Sequence, residues 1–435
     1  MLIVFTDAKH RKIPFCQYKG LPELCKMKTI SLSLKEATPS LFTNLGLGAG
    51  QILLWGGSYF ILSVLSKPIM AETGWTYQMV YGALSFSMVI SGLVLPFVGR
   101  MIQSLRRNHM LRYTGLVMAA GLLIMGSAHN YRMFMLAWAI TGIAMGMGLY
   151  DALFASIGKY FGKSTRNMIV KVTLISSLAP TISWLITSYL LENMGWRNTC
   201  FIYAGILALG ILPLHFFVFP QVSAPADESS KSKEVTATGP EPKLFLLLIC
   251  SFTMGAVLTT GVIINLIDIL TGKDHTMAAS LVIISFLGPS QAGVRLLELI
   301  MPPATPLKMS VLSALSMLAG LVLLMVSNNL AIPGVILFGM GNGMRSVVRG
   351  TLPLSLFGES GYAVLIGKLG RWPLIAQAVT PVIAGFIMQK FSNMCFLGVF
   401  LIIAVINVFV SVIIYGTVKK TQQGVHSSQQ IKQTI

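Results

Sequence analysis

The chain has 435 residues, 54% of them hydrophobic and only 11% charged, against about 25% charged in an ordinary soluble domain. That excludes a water-soluble globular protein. The net charge of +18 invites a nucleic-acid reading, but the cations fall in alternate connections between apolar runs, which makes them a topology signal instead.

The first 44 residues carry scattered cations and read as a cytoplasmic N-terminal extension, in which Met1 and Met27 are both candidate starts. The opening MLIVF is too short for a signal-peptide core. Six apolar runs follow, near 47–69, 77–99, 111–128, 132–157, 168–190 and 199–219, each long enough to span a membrane as a helix. The stretch 220–243, PQVSAPADESSKSKEVTATGPEPK, is polar and proline-bearing and reads as a cytoplasmic linker. Six more runs occupy 244–269, 278–300, 308–327, 331–352, 373–389 and 394–416, before a cytoplasmic tail at 419–435. One set of connections holds most of the cations, among them Arg100, Arg106, Arg107, Lys159, Arg166, Lys308, Lys368 and Arg371. The other set holds Lys67, Arg132, Arg197, Lys273 and Lys390. The bias places both termini in the cytoplasm. The expected fold is an all-α membrane protein of twelve helices in two six-helix halves, 45–219 and 244–418. Five cysteines without paired spacing suggest no disulfide framework, and the scattered histidines suggest no metal site or cofactor.

The halves repeat each other faintly. Gly146 and Gly148 match Gly341 and Gly343. Phe161-Gly162 matches Phe357-Gly358 with one residue of slippage. LAPTISWLI from Leu178 matches VTPVIAGFI from Val379, and Gly99-Arg100-Met101-Ile102-Gln103 matches Val294-Arg295-Leu296-Leu297-Glu298. Four matches in one order indicate duplication.

Twelve spans, a charged central loop and a basic turn after the second span resemble the major facilitator superfamily. So do WGGSYFILSVLSKPIMAETGW (from Trp55), GPSQAGVRLLE (from Gly288) and the arginine-bearing tenth span, and the resemblance is to bacterial members. It implies a secondary transporter of the cell (inner) membrane that moves a small solute by rocking its halves about a midplane site. It also implies a cavity lined by spans one, four, seven and ten, and a cytoplasmic gate at Gly99, Gln103, Arg106, Arg295 and Glu298. Gln103 stands where the family has an acid, and the family's antiporter motif is absent around Pro180.

A charge in the hydrocarbon is expensive and marks a cavity, a partner or a function. Arg345 lies fourteen residues into span ten, roughly 21 Å at 1.5 Å per residue, in a core about 30 Å thick. Guanidinium matches carboxylate and phosphate geometry, so Arg345 is the candidate anion ligand, with pairing to Asp151 as the structural alternative. Asp151 is either that partner or a proton carrier. Arg349, one turn on, reads as a snorkelling anchor, and Asp268 as a solvated helix end. Tyr59 and Gln51 are the candidate polar substrate contacts, ahead of Ser58, Asn265 and Gln377.

The expected function is transport of a small organic anion, with a coupled proton or ion as possible co-substrate, by a monomer that binds neither nucleic acid nor cofactor. Efflux of hydrophobic compounds and a non-transporting sensor on the same fold are the alternatives. Nothing in the sequence forms a nucleophile–base set, so no enzyme is expected.

Overall fold

The computed structural model describes residues 39–104, 109–218, 242–273, 275–301, 304–359 and 361–434. Arg106, nearly all of the linker and most of the N-terminal extension lie outside the described residues. All the regular elements described are helices, as they must be where no water is present to satisfy the backbone.

Among the described residues nine helical segments are long and apolar enough to cross a membrane. One of them, Tyr131–Val218, runs for 88 residues and holds spans four, five and six, and the shorter Met110–Gly126 is span three. The twelve-helix expectation is consistent with this. Spans two, nine and ten are single helices, at Tyr77–Ser104, Pro306–Val326 and Ala331–Phe357. Others are broken. Span one (Leu41–Trp55, Ile61–Thr73) contains a π-helical turn at Gly56–Phe60. Span four divides into Tyr131–Gly148 and Tyr150–Phe161, and span five begins as Thr165–Ser176 and continues from Ala179. Span seven divides at Asn265 and span eight at Phe286.

Local chemistry fixes the ends. The Ser40 hydroxyl accepts from the Thr43 N–H at 3.0 Å and starts span one at Leu41, six residues before the apolar run. Asn130 caps span four through the Met133 N–H at 2.9 Å. Spans five and six turn at Gly195, whose φ of +75° suits glycine. Span eleven runs over Tyr362–Lys390, starting well before the expected 373. Lys368 and Arg371 had marked it as loop, yet both are helical, which is the end effect expected of long cations that reach the interface. Span twelve continues as helix to Thr434, through the expected tail.

Each half has its own apolar core. The first is built on Trp138, Phe134, Tyr203 and Leu122, the second on Phe338, Phe396, Phe400 and Leu321. Ala378 of span eleven packs into the first core. The halves also meet closely where span two faces span eleven: a Cβ at Gly99 would lie 2.5 Å from the Ala363 carbonyl oxygen, and one at Gly92 would lie 2.9 Å from that of Arg371.

Candidate functional site: an arginine-rich centre between the halves

Arg349 of span ten donates from Nη2 to Asp151 Oδ2 of span four at 2.6 Å, with the two side chains 14% and 9% exposed. This corrects the expected pairing of Asp151 with Arg345, and the reading of Arg349 as an anchor. The reason is local. Span four breaks at Leu149, which is extended (ψ −174°), and a new helix starts at Tyr150. Asp151 therefore sits in a helix's first turn, where the N-terminal dipole favours a carboxylate. The pair is one-pronged, since Asp151 Oδ1 and Arg349 Nε have no hydrogen-bond partner.

Arg345 has no carboxylate within ion-pair distance among the described residues. Its Nη2 reaches Asn342 Oδ1 at 3.4 Å, long for a charged hydrogen bond, and its Nε is unpartnered. Asp151 is close enough to act on it electrostatically. The arginine stem runs over Gly255 of span seven, where a Cβ would lie 2.7 Å from Arg345 Cδ. Asn342 Oδ1 also accepts from Thr259 at 2.8 Å, which joins spans seven and ten beside the guanidinium.

Arg295, 4% exposed, donates from Nη1 to the Thr173 carbonyl and from Nη2 to Ser346 Oγ, both at 2.8 Å. It ties span eight to span ten in its own half and to span five in the other. Three residues on, Glu298 meets Arg166 at 3.4 Å, and Arg166 also donates to the Ala304 carbonyl. Gln103 contributes its carbonyl, which accepts from Lys159 Nζ at 3.1 Å within the first half.

The route by which the sequence pointed to these residues needs correcting. Gly142 and Gly146 sit against Ser87 and Ser91, while Gly339 and Gly343 sit against Leu287 and Gln291. In that register Leu95, and not Arg100, is the counterpart of Arg295, so the supposed second copy of the gate signature is displaced by more than a turn. Gly146 corresponds to Gly343 rather than to Gly341.

Gln51 is wholly buried, and its Nε2 donates to the Gly148 carbonyl at 2.7 Å, the acceptor that the break in span four sets free. It joins span one to span four and does not face a solute in this conformation. Tyr59, half-buried in the π-helical turn, lies edge-on to Trp55 (5.9 Å) and Phe60 (5.4 Å). Trp55 meets Tyr150 at 5.3 Å, and Tyr150 stacks on Phe154 and shares a 2.8 Å hydrogen bond with Ser176. An aromatic wall thus leads from span one to the residue preceding Asp151. Gln377 donates to Thr260, Asn265 and Ser58 bond within their own helices, and Asp268 is exposed.

The centre therefore brings together Asp151, Arg345 and Arg349, with Arg295 one helix away, and leaves Gln51 and Gln103 outside. Two arginines, Arg345 and Arg349, act on the one carboxylate Asp151, while Glu298 is engaged by Arg166 and lies near Arg295. The sequence missed Asn342, Thr259, Ser346, Thr173 and Arg166 as partners, because ordinary polar residues joined only in space leave no local pattern. Among the described residues no group of side chains gathers that could hold a metal.

The family model for the Major Facilitator Superfamily matches residues 47–370. The chain belongs to the major facilitator superfamily. Human monocarboxylate transporter 6 is 28% identical over 194 residues, a stretch that is 42% of this chain and 36% of that protein. The match thus spans about a third of that curated relative's length. The crystal structure of the human organic anion transporter MFSD10 (TETRAN) superposes with a TM-score of 0.66 at 14% identity, over 85% of this chain and 98% of that one. This likeness is one of superfamily fold. Membership, with the apolar helices, makes the chain a multi-pass membrane protein of a transporter family.

Proposed function

We propose that this superfamily member carries a small organic anion, a carboxylate or similar, across the cell membrane by alternating access and secondary coupling, and that Arg345 is its anion ligand. The observation that carries the reading is a surplus of positive charge between the halves: half-buried Arg345 has no carboxylate within ion-pair distance among the described residues, while Asp151 is taken by Arg349. A buried cation without a counter-charge is strongly unfavourable, and a substrate carboxylate on the guanidinium fork relieves it. The names of two similar proteins, a monocarboxylate transporter and an organic anion transporter, support the substrate class. Asp151 is the charge through which a proton couples, because Arg349 releases it when it is protonated. The contacts of Gly99, Arg295 and Glu298 with the opposite half serve as the cytoplasmic gate, with both termini in the cytoplasm.

The test is a thermal-shift panel on the purified protein, followed by counterflow in proteoliposomes. Mono- and dicarboxylates are set against organophosphates, sugars and lipophilic cations. A ligand that prefers the folded state raises the midpoint, by about 2.7 kcal/mol at a hundredfold excess over Kd. The expected result is stabilisation by a carboxylate, lost in Arg345→Ala, and counterflow of the same compound. In Arg345→Lys affinity falls by roughly tenfold or more, because the ammonium lacks the planar fork. Stabilisation by lipophilic cations alone defeats the anion reading, and absence of counterflow by every ligand that binds points to a sensor.

A further inference from the structure

At the end of the molecule that carries the basic loops, a cavity of about 480 Å³ opens between the halves. Pro96 and Arg100 of span two form one wall, Phe245 and Ile249 of span seven a second, and Val364, Lys368, Arg371 and Trp372 of span eleven the third. We propose that this groove holds the headgroup of an anionic phospholipid, whose phosphate bridges Arg100 of the first half to Lys368 and Arg371 of the second.

Charge is the first argument. Three cations line the groove, no acid does, and none of the ion pairs among the described residues involves them. Arg371 keeps a buried Nε without a hydrogen-bond partner. Arg100 rests over Phe97 and Arg371 over Trp372, at 4.7 and 5.2 Å, and these contacts leave the guanidinium edges free to donate.

Depth and surroundings decide for a lipid over a dissolved anion. Lys368 and Arg371 lie six and nine residues into span eleven, about 9 and 14 Å from its end at 1.5 Å per residue. With a polar layer of roughly 5–8 Å on each side of the hydrocarbon, a helix that begins at the water carries them where headgroups meet the upper acyl chains. The lining Trp372 and the ring of Phe97 on which Arg100 rests are 47% and 60% exposed, so apolar surface faces outward here. Phe245, Ile249 and Val364 continue the groove as a greasy floor that suits an acyl chain and not a hydrated ion. Basic pockets between helices at this level are where anionic headgroups bind. Arg100 belongs to one half and Lys368 and Arg371 to the other, so one phosphate ties together the ends that Gly99 and Ala363 already bring into contact.

The test measures lipid binding by the detergent-solubilised, delipidated full chain, by native mass spectrometry and by thermal shift. The probes are phosphatidylglycerol, phosphatidylcholine and free glycerol phosphate. The expected preference for phosphatidylglycerol over phosphatidylcholine is on the order of a hundredfold, from three cations acting near the membrane surface. It is lost in Arg100→Gln/Lys368→Gln/Arg371→Gln and kept in Lys419→Gln/Lys420→Gln, which removes exposed cations from the last helix. Equal retention of the two lipids, an unaltered preference in the triple variant, or an equal shift with glycerol phosphate overturns the proposal. A second readout does not depend on the triple variant folding. Phosphatidylglycerol with brominated acyl chains quenches the intrinsic fluorescence of the wild type more than that of Trp372→Phe; equal quenching also overturns it.

Discussion

Spans four and ten pack alike and differ by one residue. Gly146 and Gly343 pack on equivalent neighbours, and Gly162 and Gly358 both end their spans with positive φ. Sixteen positions separate the first pair of glycines along span four, and fifteen separate the second pair along span ten. Span ten runs unbroken and carries two arginines on one face. Span four takes up its extra residue at Leu149, where the helix stops and restarts. The break creates two things that span ten lacks: a freed carbonyl at Gly148, which Gln51 satisfies, and a new helix N-terminus that holds Asp151. The difference teaches how a duplicated scaffold acquires a charge pair across its midline. One copy keeps the regular helix and the cations, and the other is dislocated to present the anion.

The Asp151–Arg349 pair is where this comparison breaks most visibly. Asp151→Ala leaves Arg349 buried without its counter-charge, a situation that typically destabilises by 3–5 kcal/mol. The expected outcome is a large drop in the unfolding midpoint in detergent. Adding Arg349→Met to Asp151→Ala removes the orphan and recovers most of that loss, since a buried pair replaced by apolar groups is often close to neutral. Transport stays abolished in the double variant if Asp151 couples the proton. Recovery of transport along with stability leaves the pair a purely structural role.

The glycines offer a comparison of intermediate size. A Cβ at Gly142 would lie 2.5 Å from the Ser87 carbonyl oxygen, against backbone that cannot turn aside, while at Gly339 the nearest atom is 3.0 Å away. Gly142→Ala is expected to destabilise by about 1–3 kcal/mol, the usual range for overpacking, and Gly339→Ala by clearly less. Midpoints measured side by side check the order. Gly99→Ala differs in kind, because its 2.5 Å contact is with Ala363 of the opposite half. It is expected to shift the halves toward the state open at the basic end, read as increased labelling of a cysteine placed there.

Fold and site were not equally legible. Twelve apolar runs and alternating basic loops are properties of single segments, so hydropathy alone carried them. Span eleven was cut short because Lys368 and Arg371 resemble loop residues in a composition window, although a helix end tolerates both. Arg345 stood out because a deep arginine is costly wherever its partner lies. Its partner was misjudged, because the pairing depends on the Leu149 break, and nothing in MGMGLYDAL distinguishes a broken helix from a continuous one. The gate residues were reached through a repeat register that the glycine contacts do not support. Glycine pairs recur too often in these helices for short matches to fix a phase.

Gln51 gives the smallest effect and the sharpest check on the broken helix. Its amide is the hydrogen-bond donor to the Gly148 carbonyl, while its own Oε1 has no partner. Gln51→Leu strands the carbonyl, which alone costs about 1–3 kcal/mol, but it also removes a buried oxygen that was already unsatisfied. The two changes oppose each other, so a net loss of about 1 kcal/mol is expected. Gln377→Leu is the matched control, because the acceptor it leaves is the Thr260 hydroxyl, which can still donate its own O–H, whereas a backbone carbonyl can only accept. Its loss should be smaller still. If Gln51→Leu costs no more than Gln377→Leu, the Gly148 carbonyl finds another donor, and Gln51 becomes available again as the substrate contact that the sequence suggested.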